Sequence, residues 1–323
     1  MSVHTTARTS AAQMNAITQQ TLGGPEVLES VVTARPLPGP GEVLVRVHAA
    51  GVNPVDLAVR AGYFPLLGEP PFSLGWDVAG TVEGVGEGVT RFAAGDEVFG
   101  MPGFPQAGNA YAEYVAAPAE QFERRPETLP VAEAGALALS GLTAYQALVG
   151  IARVSPGQRV LVHAAAGGVG HLAVQIAKSL GAYVIGTARA EKHTILKQLG
   201  ADELIDYSLT DFTGAVGEVD VVLDLVGGEY ARRSAGVLRP GGLIVSTIDH
   251  DPGLTPEEAL ELGVRFEPVI VHQSPEDLAA LRRLAESRAL RVHVALTLPL
   301  AEVGRAHRIS AERAVTGKLV LIP

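Results

Sequence analysis

Residues 159–171 read RVLVHAAAGGVGH and contain, in order, an apolar strand, a glycine turn and the beginning of a helix. The run Arg159–His163 has the apolar character of a buried strand. Behind the turn, the segment His171–Leu180 places its apolar residues at helical spacing. A glycine turn between a strand and a helix is typical of a phosphate-binding loop, because the free N–H groups of the helix N-terminus attract anions.

Three positions in this turn match an A-x-G-x-x-G form of the dinucleotide-binding fingerprint. The second position lets the backbone approach a pyrophosphate, and the third lets the helix pack closely on the strand. We therefore predict cofactor contacts along the turn, at Ala165, Gly167, Gly168, Val169 and Gly170. The alternative is a strand–helix turn that holds no ligand, because a glycine pattern alone is weak evidence.

The end of the next predicted strand, Tyr183–Thr187, indicates which dinucleotide binds. An NAD site usually has a carboxylate about 20 residues after the glycine turn, where it bonds the ribose 2′-hydroxyl. Here that position is Thr187, and Arg189 and Lys192 follow it. A guanidinium binds a 2′-phosphate in a bidentate manner. We predict NADPH, with these three residues at its adenosine end; the alternative is that Arg189 is an ordinary solvated arginine.

Strand and helix patterns alternate through the middle of the chain, which is typical of a parallel, doubly wound Rossmann sheet. The further elements predicted there are the helix Glu191–Leu199 and the strands Asp220–Val226 and Gly242–Thr247. The first third instead has short alternating strands separated by glycine turns, as in Glu42–Ala49, which indicates a β-barrel or sandwich. The end of the chain, with a strand at Lys318–Ile322, resembles that first third.

These patterns predict an α/β protein in which a Rossmann domain is inserted into a β domain. The expected division is a flexible tail at 1–14, the first part of the β domain at 15–127, the Rossmann domain at 128–272 and the return to the β domain at 273–323. The Rossmann part is expected to open with a helical region at Val131–Ile151.

Composition excludes several classes of function. The net charge of −10 argues against nucleic acid or an anionic membrane as a partner, since both attract basic surfaces. No apolar run approaches the roughly 18–20 residues that span a bilayer. The absence of cysteine excludes disulfides and thiolate nucleophiles and removes the usual ligands of a structural zinc. A cytoplasmic protein acting on a small molecule is the expectation.

Seven stretches in order along almost the whole chain give it a resemblance to a known family. They are 51–56 (GVNPVD), 75–80 (GWDVAG), 95–98 (GDEV), 141–145 (GLTAY), 163–170, 199–207 and 317–320 (GKLV). The chain resembles the quinone oxidoreductase branch of the medium-chain dehydrogenase/reductase superfamily. The resemblance implies a GroES-like β-barrel catalytic domain, an inserted Rossmann domain and a cofactor held between them.

Within that superfamily, the residues at the catalytic zinc positions distinguish metal-dependent from metal-independent members. Laid on the family's motifs, those positions carry Asn53, Trp76 and Leu139, and none of these is a useful zinc ligand. The resemblance therefore implies hydride transfer without a metal.

The resemblance also implies roles for single residues. Asn53 is expected to face the nicotinamide or its ribose, in a catalytic role, and Thr143 to contact the nicotinamide end. Other expected cofactor positions are Gly227, Ser246 and Ile248 around the ring and Tyr207 and Lys318 near the adenosine phosphate and the cofactor cleft. For Asn53 the alternative is a turn former before Pro54, and for Thr143 it is a helix-capping or buried hydroxyl.

One departure from the family concerns the proton donor. Members often have a tyrosine shortly after the Asn-x-x-Asp stretch, whereas this chain has Leu57 and Ala58 there. Tyr63 is the candidate replacement, in a pocket wall with Phe64, Phe72, Trp76 and Phe104; water is the alternative donor.

The expected function is an NADPH-dependent, zinc-independent reductase of a quinone or an activated C=C bond, active as a homodimer. The alternatives are an enoyl reductase of a biosynthetic pathway and a non-catalytic NADPH-binding sensor. The second of these rests on the missing tyrosine alone.

Overall fold

The computed structural model describes residues 12–248 and 250–323, which form fifteen strands and ten α-helices. The strands are β1 (Gln13–Thr18), β2 (Glu29–Ala34), β3 (Glu42–Val52), β4 (Asp77–Val85), β5 (Glu97–Gly100), β6 (Tyr114–Pro118), β7 (Phe122–Arg124), β8 (Arg159–Val162), β9 (Tyr183–Thr187), β10 (Glu203–Ile205), β11 (Val219–Asp224), β12 (Leu238–Ser246), β13 (Arg265–Pro268), β14 (Val294–Pro299) and β15 (Lys318–Ile322). The helices are α1 (Pro54–Ala61), α2 (Val131–Ala134), α3 (Ala138–Tyr145), α4 (Gly170–Ser179), α5 (His193–Gln198), α6 (Phe212–Ala215), α7 (Glu229–Ala235), α8 (Pro256–Glu261), α9 (Pro275–Glu286) and α10 (Val303–Ala311).

The first third of the chain and its last strands share a seven-stranded sheet in the order β14-β15-β3-β4-β5-β7, with β6 paired to β3. Strand β15 runs antiparallel to β3, and Leu319 lies opposite Val52. The end of the chain therefore completes the sheet that the first third begins, as the sequence predicts. This sheet is the GroES-like part of the fold.

The middle of the chain forms a six-stranded, all-parallel sheet in the order β10-β9-β8-β11-β12-β13. Its central strands β8 and β11 are buried over most of their length, as expected of a parallel sheet that helices cover on both faces. The strand order runs outward in both directions from β8, so the carboxyl end of β8 is the topological switch point where ligands of such sheets bind. The glycine turn follows β8 directly, which agrees with the predicted Rossmann domain.

The helical region predicted at Val131–Ile151 is three pieces rather than one. Helix α2 ends at Ala134, α3 begins only at Ala138, and a π-helix follows at Gln146–Ile151. The break fits the close approach of Gly135 to the barrel, since a Cβ there would lie 2.6 Å from the Cβ of Ala49.

The predicted N-terminal tail extends two residues too far. Gln13 and Met14 lie in β1, because their backbone pairs with Ala34 and Thr33 of β2. Residues 1–11 of that prediction lie outside the described residues. The parallel sheet takes its strands from β8 to β13, the seven-stranded sheet takes β3 to β7 with β14 and β15, and β1 pairs with β2 alone. The division at 15–127, 128–272 and 273–323 stays a prediction.

Candidate active site

The glycine turn presents an open backbone at the end of β8. Ala164 has φ of +47°, a left-handed conformation that begins the turn, and the N–H of Gly167 donates to its carbonyl oxygen at 2.9 Å. Gly167, Gly168 and Val169 are partly exposed, whereas Ala165 is fully buried. A turn with two glycines and the first N–H groups of the ten-residue helix α4 behind it fits a pyrophosphate.

Gly170 has the packing role that the fingerprint predicts for its third position. A Cβ at Gly170 would collide with the carbonyl oxygen of Ala164 and lie 2.8 Å from the Cα of Ala165. Helix α4 therefore lies so close to the end of β8 that only glycine fits at its first residue. The same crowding reaches β9, where a Cβ at Gly186 would lie 2.9 Å from the Cβ of Ala165.

His171 links the glycine turn to the segment around His293. Its Nδ1 donates to the carbonyl oxygen of Gly167 at 2.9 Å, and its Nε2 accepts from the N–H of His293 at 3.1 Å. Burial lowers the pKa of the His171 imidazole to about 4, so the ring is neutral near pH 7. A second link joins the N–H of Gly317 to the carbonyl oxygen of Ala166 at 2.8 Å. Sequence reasoning missed this role, since one histidine at a helix start carries no such signal.

Thr187, predicted at the adenosine end, is buried and bonded inside the Rossmann domain. Its hydroxyl lies 3.1 Å from Nδ1 of His163, and Nε2 of that histidine lies 2.9 Å from the hydroxyl of Ser234 on α7. Burial lowers the pKa of His163 to about 3, so it acts as a neutral link between β8, β9 and α7.

Arg189 and Lys192 lie just beyond β9, as predicted, but in different environments. Arg189 is exposed. Lys192 is half-buried, donates from Nζ to the carbonyl oxygen of Val315 at 3.1 Å, and has its pKa lowered by burial. A carboxylate that the sequence did not place here, Asp206, accepts from the N–H of Ala190 at 3.0 Å and from Ser208. Its oxygens therefore hold the loop that carries Arg189.

Tyr207, the next residue after Asp206, has a side chain that is 43% exposed. It lies beyond β10, the neighbour of β9 in the sheet. The role that the resemblance implies for Tyr207, near the adenosine phosphate, stays a prediction.

The ends of β11 and β12 bring together three residues predicted around the nicotinamide ring. A Cβ at Gly227 would lie 2.7 Å from Cγ2 of Ile248, and the N–H of Ile248 donates to the hydroxyl of Ser246 at 3.2 Å. Asp224 organises this corner: its Oδ1 accepts from the N–H groups of Val226 and Gly227 at 2.9 and 3.1 Å. Burial raises the pKa of the Asp224 carboxyl. Asp224 was not predicted as a site residue.

Asn53 and Lys318 meet in a buried polar cluster, which we define as Asn53, Asp77, Ser140 and Lys318. The exposed fractions of the four residues are 0%, 0%, 2% and 2%. Lys318 Nζ donates to Asn53 Oδ1 at 2.5 Å, to Ser140 Oγ at 3.0 Å and to Asp77 Oδ2 at 3.4 Å. The cluster borders the glycine turn, because a Cβ at Gly168 would lie 3.1 Å from Cδ of Lys318.

Sequence reasoning missed Asp77 and Ser140. The available signal for Asp77 was a carboxylate at the head of the apolar run Asp77–Val82, which is unusual without a partner. Its partner Lys318 is 241 residues away in the chain, so spacing could not identify the pair.

Three other residues have surroundings that bear on their expected roles, which are the nicotinamide end for Thr143, the proton donor for Tyr63 and the pocket wall for Trp76. Thr143 is buried and donates to the carbonyl oxygen of Leu139 at 2.8 Å, within its own helix. Tyr63 is 86% exposed on the loop after α1. Trp76 and Phe104 form an edge-to-face pair, with ring centroids 5.6 Å apart, and Trp76 is fully buried. Trp76 therefore belongs to the core and not to a pocket wall, because its indole is enclosed by the barrel.

The site can hold an extended dinucleotide along one edge of the parallel sheet. The backbone of the glycine turn suits its pyrophosphate, and the cationic side chains beyond β9 suit a phosphate on the adenosine ribose. Within residues 12–248 and 250–323, no three or more His, Cys, Asp or Glu side chains come together as a metal site would require. None of the helices in this part of the chain is long and apolar enough to cross a membrane.

Comparison with known proteins agrees with this architecture. Residues 39–127 match the family described as "Alcohol dehydrogenase GroES-like domain", and residues 199–321 match the family described as "Zinc-binding dehydrogenase". A quinone oxidoreductase of Sus scrofa is 34% identical, with 96% of this chain and 98% of that protein covered. A 2-haloacrylate reductase of Burkholderia sp is 38% identical, with 93% of this chain and 96% of that protein covered.

Among solved structures, the quinone oxidoreductase of Escherichia coli complexed with NADPH has a TM-score of 0.87 to this chain and is 32% identical. The match covers 97% of this chain and 100% of that structure. Together with the GroES-like sheet, the parallel sheet and the glycine turn, these matches confirm the resemblance seen in the sequence. The chain is an oxidoreductase that belongs to the quinone oxidoreductase branch of the medium-chain dehydrogenase/reductase superfamily.

Proposed function

We propose that the chain is an NADPH-dependent, zinc-independent reductase that transfers hydride to a quinone or to an activated C=C bond. The observation that carries this proposal is the buried cluster of Asn53, Asp77, Ser140 and Lys318 beside the glycine turn. Of the three positions that the resemblance aligns with catalytic zinc ligands, only Asn53 belongs to this cluster, where it contributes an amide, and the ammonium group of Lys318 supplies the local positive charge. Such a donor set suits hydrogen bonding rather than zinc ligation.

The residues of the chain bind and orient the cofactor in this proposal, and a bound dihydronicotinamide supplies the hydride. The N–H groups of the glycine turn and of α4 hold the pyrophosphate. Gly227, Ser246 and Ile248, fixed by Asp224, line the ring side. Backbone donors or ordered water stabilise the enolate or hydroquinone anion, and solvent provides its proton, since the exposed Tyr63 would need a loop movement to reach the anion.

Preference for NADPH is supported by the charges beyond β9. Arg189 and Lys192 follow Thr187, and Asp206, a carboxylate that contacts the same loop, already accepts hydrogen bonds from Ala190 and Ser208. A 2′-phosphate gains two cationic partners there, Arg189 and Lys192, against the single acidic side chain of Glu191 between them. The E. coli relative of known structure was also solved with NADPH.

The acceptor class is supported by the relatives' activities. A quinone and a 2-haloacrylate are both electron-poor acceptors that accept hydride at carbon or oxygen, and relatives with either activity match nearly the whole chain. An enoyl reductase would share every feature described above, so the acceptor profile distinguishes the two.

Stopped-flow oxidation of NADPH tests the proposal, with 1,4-benzoquinone, an alkenal, an enone and 2-chloroacrylate as acceptors and NADH as the alternative donor. We expect at least one acceptor to accelerate oxidation, NADPH to react more efficiently than NADH, and EDTA treatment to leave the rate unchanged. Tight NADPH binding without turnover on the whole panel would favour the sensor, and a rate restored only by zinc would contradict the metal-free mechanism.

We also propose that the chain is cytoplasmic and forms a homodimer, as is typical of such relatives. The free edge of the parallel sheet at β13 offers the backbone groups for pairing with a second copy. Light scattering should then give twice the 33.6 kDa of one chain. A monomer at micromolar concentration would contradict it.

A further inference from the structure

Lys318 was expected to contact the cofactor, yet its ammonium group is already fully engaged. An ammonium group has three N–H donors. Each has an acceptor within the cluster, namely Asn53 Oδ1, Ser140 Oγ and Asp77 Oδ2. With 2% of the residue exposed, Lys318 has no donor left for a phosphate unless it leaves these partners. This geometry indicates that Lys318 acts on the cofactor site through its partners in the cluster.

We infer that Lys318 and Asp77 are positioning residues that hold the side-chain amide of Asn53 in one orientation beside the glycine turn. This inference rests on the proposed hydride transfer, and it assigns to Asp77 a role that the sequence did not suggest. It also changes the expected role of Lys318, which supports Asn53 instead of binding the cofactor itself.

Opposite charges on the two sides of the amide fix its orientation. Asn53 Oδ1 faces the ammonium of Lys318 at 2.5 Å, and Asn53 Nδ2 donates to the carboxylate of Asp77 at 2.9 Å. A rotation by 180° would place the NH₂ group against the ammonium and the carbonyl oxygen against the carboxylate. Both contacts would be repulsive in a buried environment, where charges interact strongly.

The backbone at Asn53 is fixed as well, so the oriented amide also has a fixed position. The N–H of Asn53 donates to Asp56 Oδ2 at 2.7 Å in the capping box that begins α1. Asp77 is itself held, because its Oδ1 accepts from the N–H of Leu139 at 2.6 Å. The cluster thus connects the starts of α1, β4 and α3 with β15.

Lys318 links this cluster to the glycine turn. Its methylene stem packs against Gly168, and the preceding residue, Gly317, donates to the carbonyl oxygen of Ala166. One side chain therefore spans from the predicted pyrophosphate position to the amide expected near the nicotinamide. Hydrogen bonding of an ammonium to Oδ1 also polarises the amide, which makes its remaining Nδ2–H a stronger donor to a carbonyl oxygen.

That carbonyl oxygen belongs either to the carboxamide of the nicotinamide or to the acceptor. Because Asn53 has no exposed surface, a neighbouring side chain must shift before either can reach it. The Asn53→Ala variant distinguishes the two. If the amide binds the nicotinamide carboxamide, its loss weakens NADPH binding; if it binds the acceptor, its loss raises the KM of the acceptor.

The test compares Lys318→Met, the pair Lys318→Met with Asp77→Asn, and Asn53→Ala. Lys178→Met is the matched control, because it also removes a lysine–aspartate ion pair, with Asp202 at 2.6 Å, but on the surface. The Lys318→Met/Asp77→Asn pair removes both buried charges together, so that a folding defect from an unpaired carboxylate is avoided.

For Lys318→Met and for the charge-free pair, we expect the hydride-transfer rate at saturating NADPH to fall by about tenfold or more. The Kd of NADPH, from its fluorescence, should rise no more than it does in Asn53→Ala. Lys318→Met should cost little further rate in the Asn53→Ala background, because it acts through that amide. The inference would be overturned if the rate losses of Lys318→Met and Asn53→Ala multiplied in the double variant. It would also be overturned if Lys318→Met caused a large loss of NADPH affinity with an unchanged rate.

A readout without turnover separates this inference from the proposed function. The Nδ2H₂ resonances of Asn53, assigned by their absence in Asn53→Ala, should be slow to exchange with solvent and strongly shifted by the Asp77 carboxylate. The Lys318→Met/Asp77→Asn pair should remove that shift, Lys318→Met alone should change it, and Lys178→Met should leave it as it is. If no acceptor is reduced by the parent protein, the proposed function fails, while these resonances and the NADPH Kd still decide the inference; an unchanged Asn53 spectrum overturns it.

Discussion

Lys192 donates a hydrogen bond from Nζ to the backbone carbonyl oxygen of Val315 at 3.1 Å. The donor lies just beyond β9, where the adenosine phosphate is predicted, and the acceptor lies three residues before Lys318. Burial lowers the pKa of Lys192, and the adjacent Arg189 lowers it further, although Glu191 opposes the shift. The carbonyl oxygen of Val315 thus holds the ammonium at the predicted phosphate position, and a phosphate dianion can replace it there.

Lys192→Met should reduce the preference for NADPH. We expect the Kd of NADPH to rise about tenfold, since a hydrogen bond to a charged group contributes about 1.5–3 kcal/mol, and the Kd of NADH to change little. Fluorescence titration with both nucleotides measures this. Lys197→Met, an exposed lysine on α5, is the control and should leave both constants unchanged. Equal weakening of both nucleotides would place Lys192 away from the 2′-phosphate.

Gly170→Ala should destabilise the protein and weaken cofactor binding. The added Cβ would collide with the carbonyl oxygen of Ala164, and backbone on both sides leaves no flexible group to yield. We expect a loss of about 2 kcal/mol or more in the free energy of unfolding, measured by urea denaturation.

Gly150→Ala is the matched control for that change. Its Cβ would meet nothing within 4 Å, so stability should be unchanged or slightly higher. If Gly170→Ala were as stable as Gly150→Ala, the close approach of α4 to β8 would be wrong.

The parts of the fold predicted with correct bounds are those with strong local patterns. The strands Tyr183–Thr187 and Lys318–Ile322 have the predicted ends, because their apolar and β-branched runs are followed or preceded within two residues by Gly181, Arg189, Gly317 and Pro323. The hairpin of β1 and β2 was missed, since most of β2 is exposed and its alternation carries little contrast. The break between α2 and α3 was missed because it arises from packing of Gly135 on the barrel, not from local propensity.

The residues of the candidate site also fall into two groups, those that the sequence reveals and those that only the fold brings together. The glycine turn was visible in sequence because its chemistry depends on residues that adjoin in the chain. Asp77 and Ser140 were not, because they acquire their roles only when β4, α3 and β15 meet around Lys318. A buried carboxylate and a buried ammonium can be suspected singly from apolar surroundings, but their pairing is a tertiary fact.

Three buried histidines should make the protein less stable in mild acid. Burial lowers the pKa of His163 and His307 to about 3 and of His171 to about 4, from 6.5 in the unfolded chain. Between pH 4 and 6.5 the unfolded state therefore binds these protons and the folded state does not. The stabilisation is complete above pH 6.5 and is lost as the pH falls toward 4.

Asp56 acts in the opposite direction over part of this window. Burial raises its pKa to about 7, from 3.8, so the folded state binds a proton that the unfolded state lacks. Three histidines outweigh one carboxyl, and the net effect is a stability that rises with pH by about 1.4 kcal/mol per unit for each net proton. Urea denaturation at several pH values from 4.5 to 7 measures this slope. A flat or inverted profile would show that the histidines are not held neutral.

Asp224 should tolerate asparagine but not alanine, because its role is to accept hydrogen bonds at the end of β11. Asn retains an oxygen for the N–H groups of Val226 and Gly227, and its NH₂ can donate to Ser246, so stability should stay within about 1 kcal/mol. Alanine leaves both N–H groups without an acceptor, at about 1–3 kcal/mol each.

Since the same turn places Gly227 against Ile248, Asp224→Ala should also raise the Kd of NADPH, whereas Asp224→Asn should not. Denaturation and fluorescence titration of the two variants distinguish a role of Asp224 as a hydrogen-bond acceptor from a requirement for its negative charge. If Asn were as damaging as Ala, the carboxylate would be needed for its charge, and the role of Asp224 would lie with the cofactor instead of the turn.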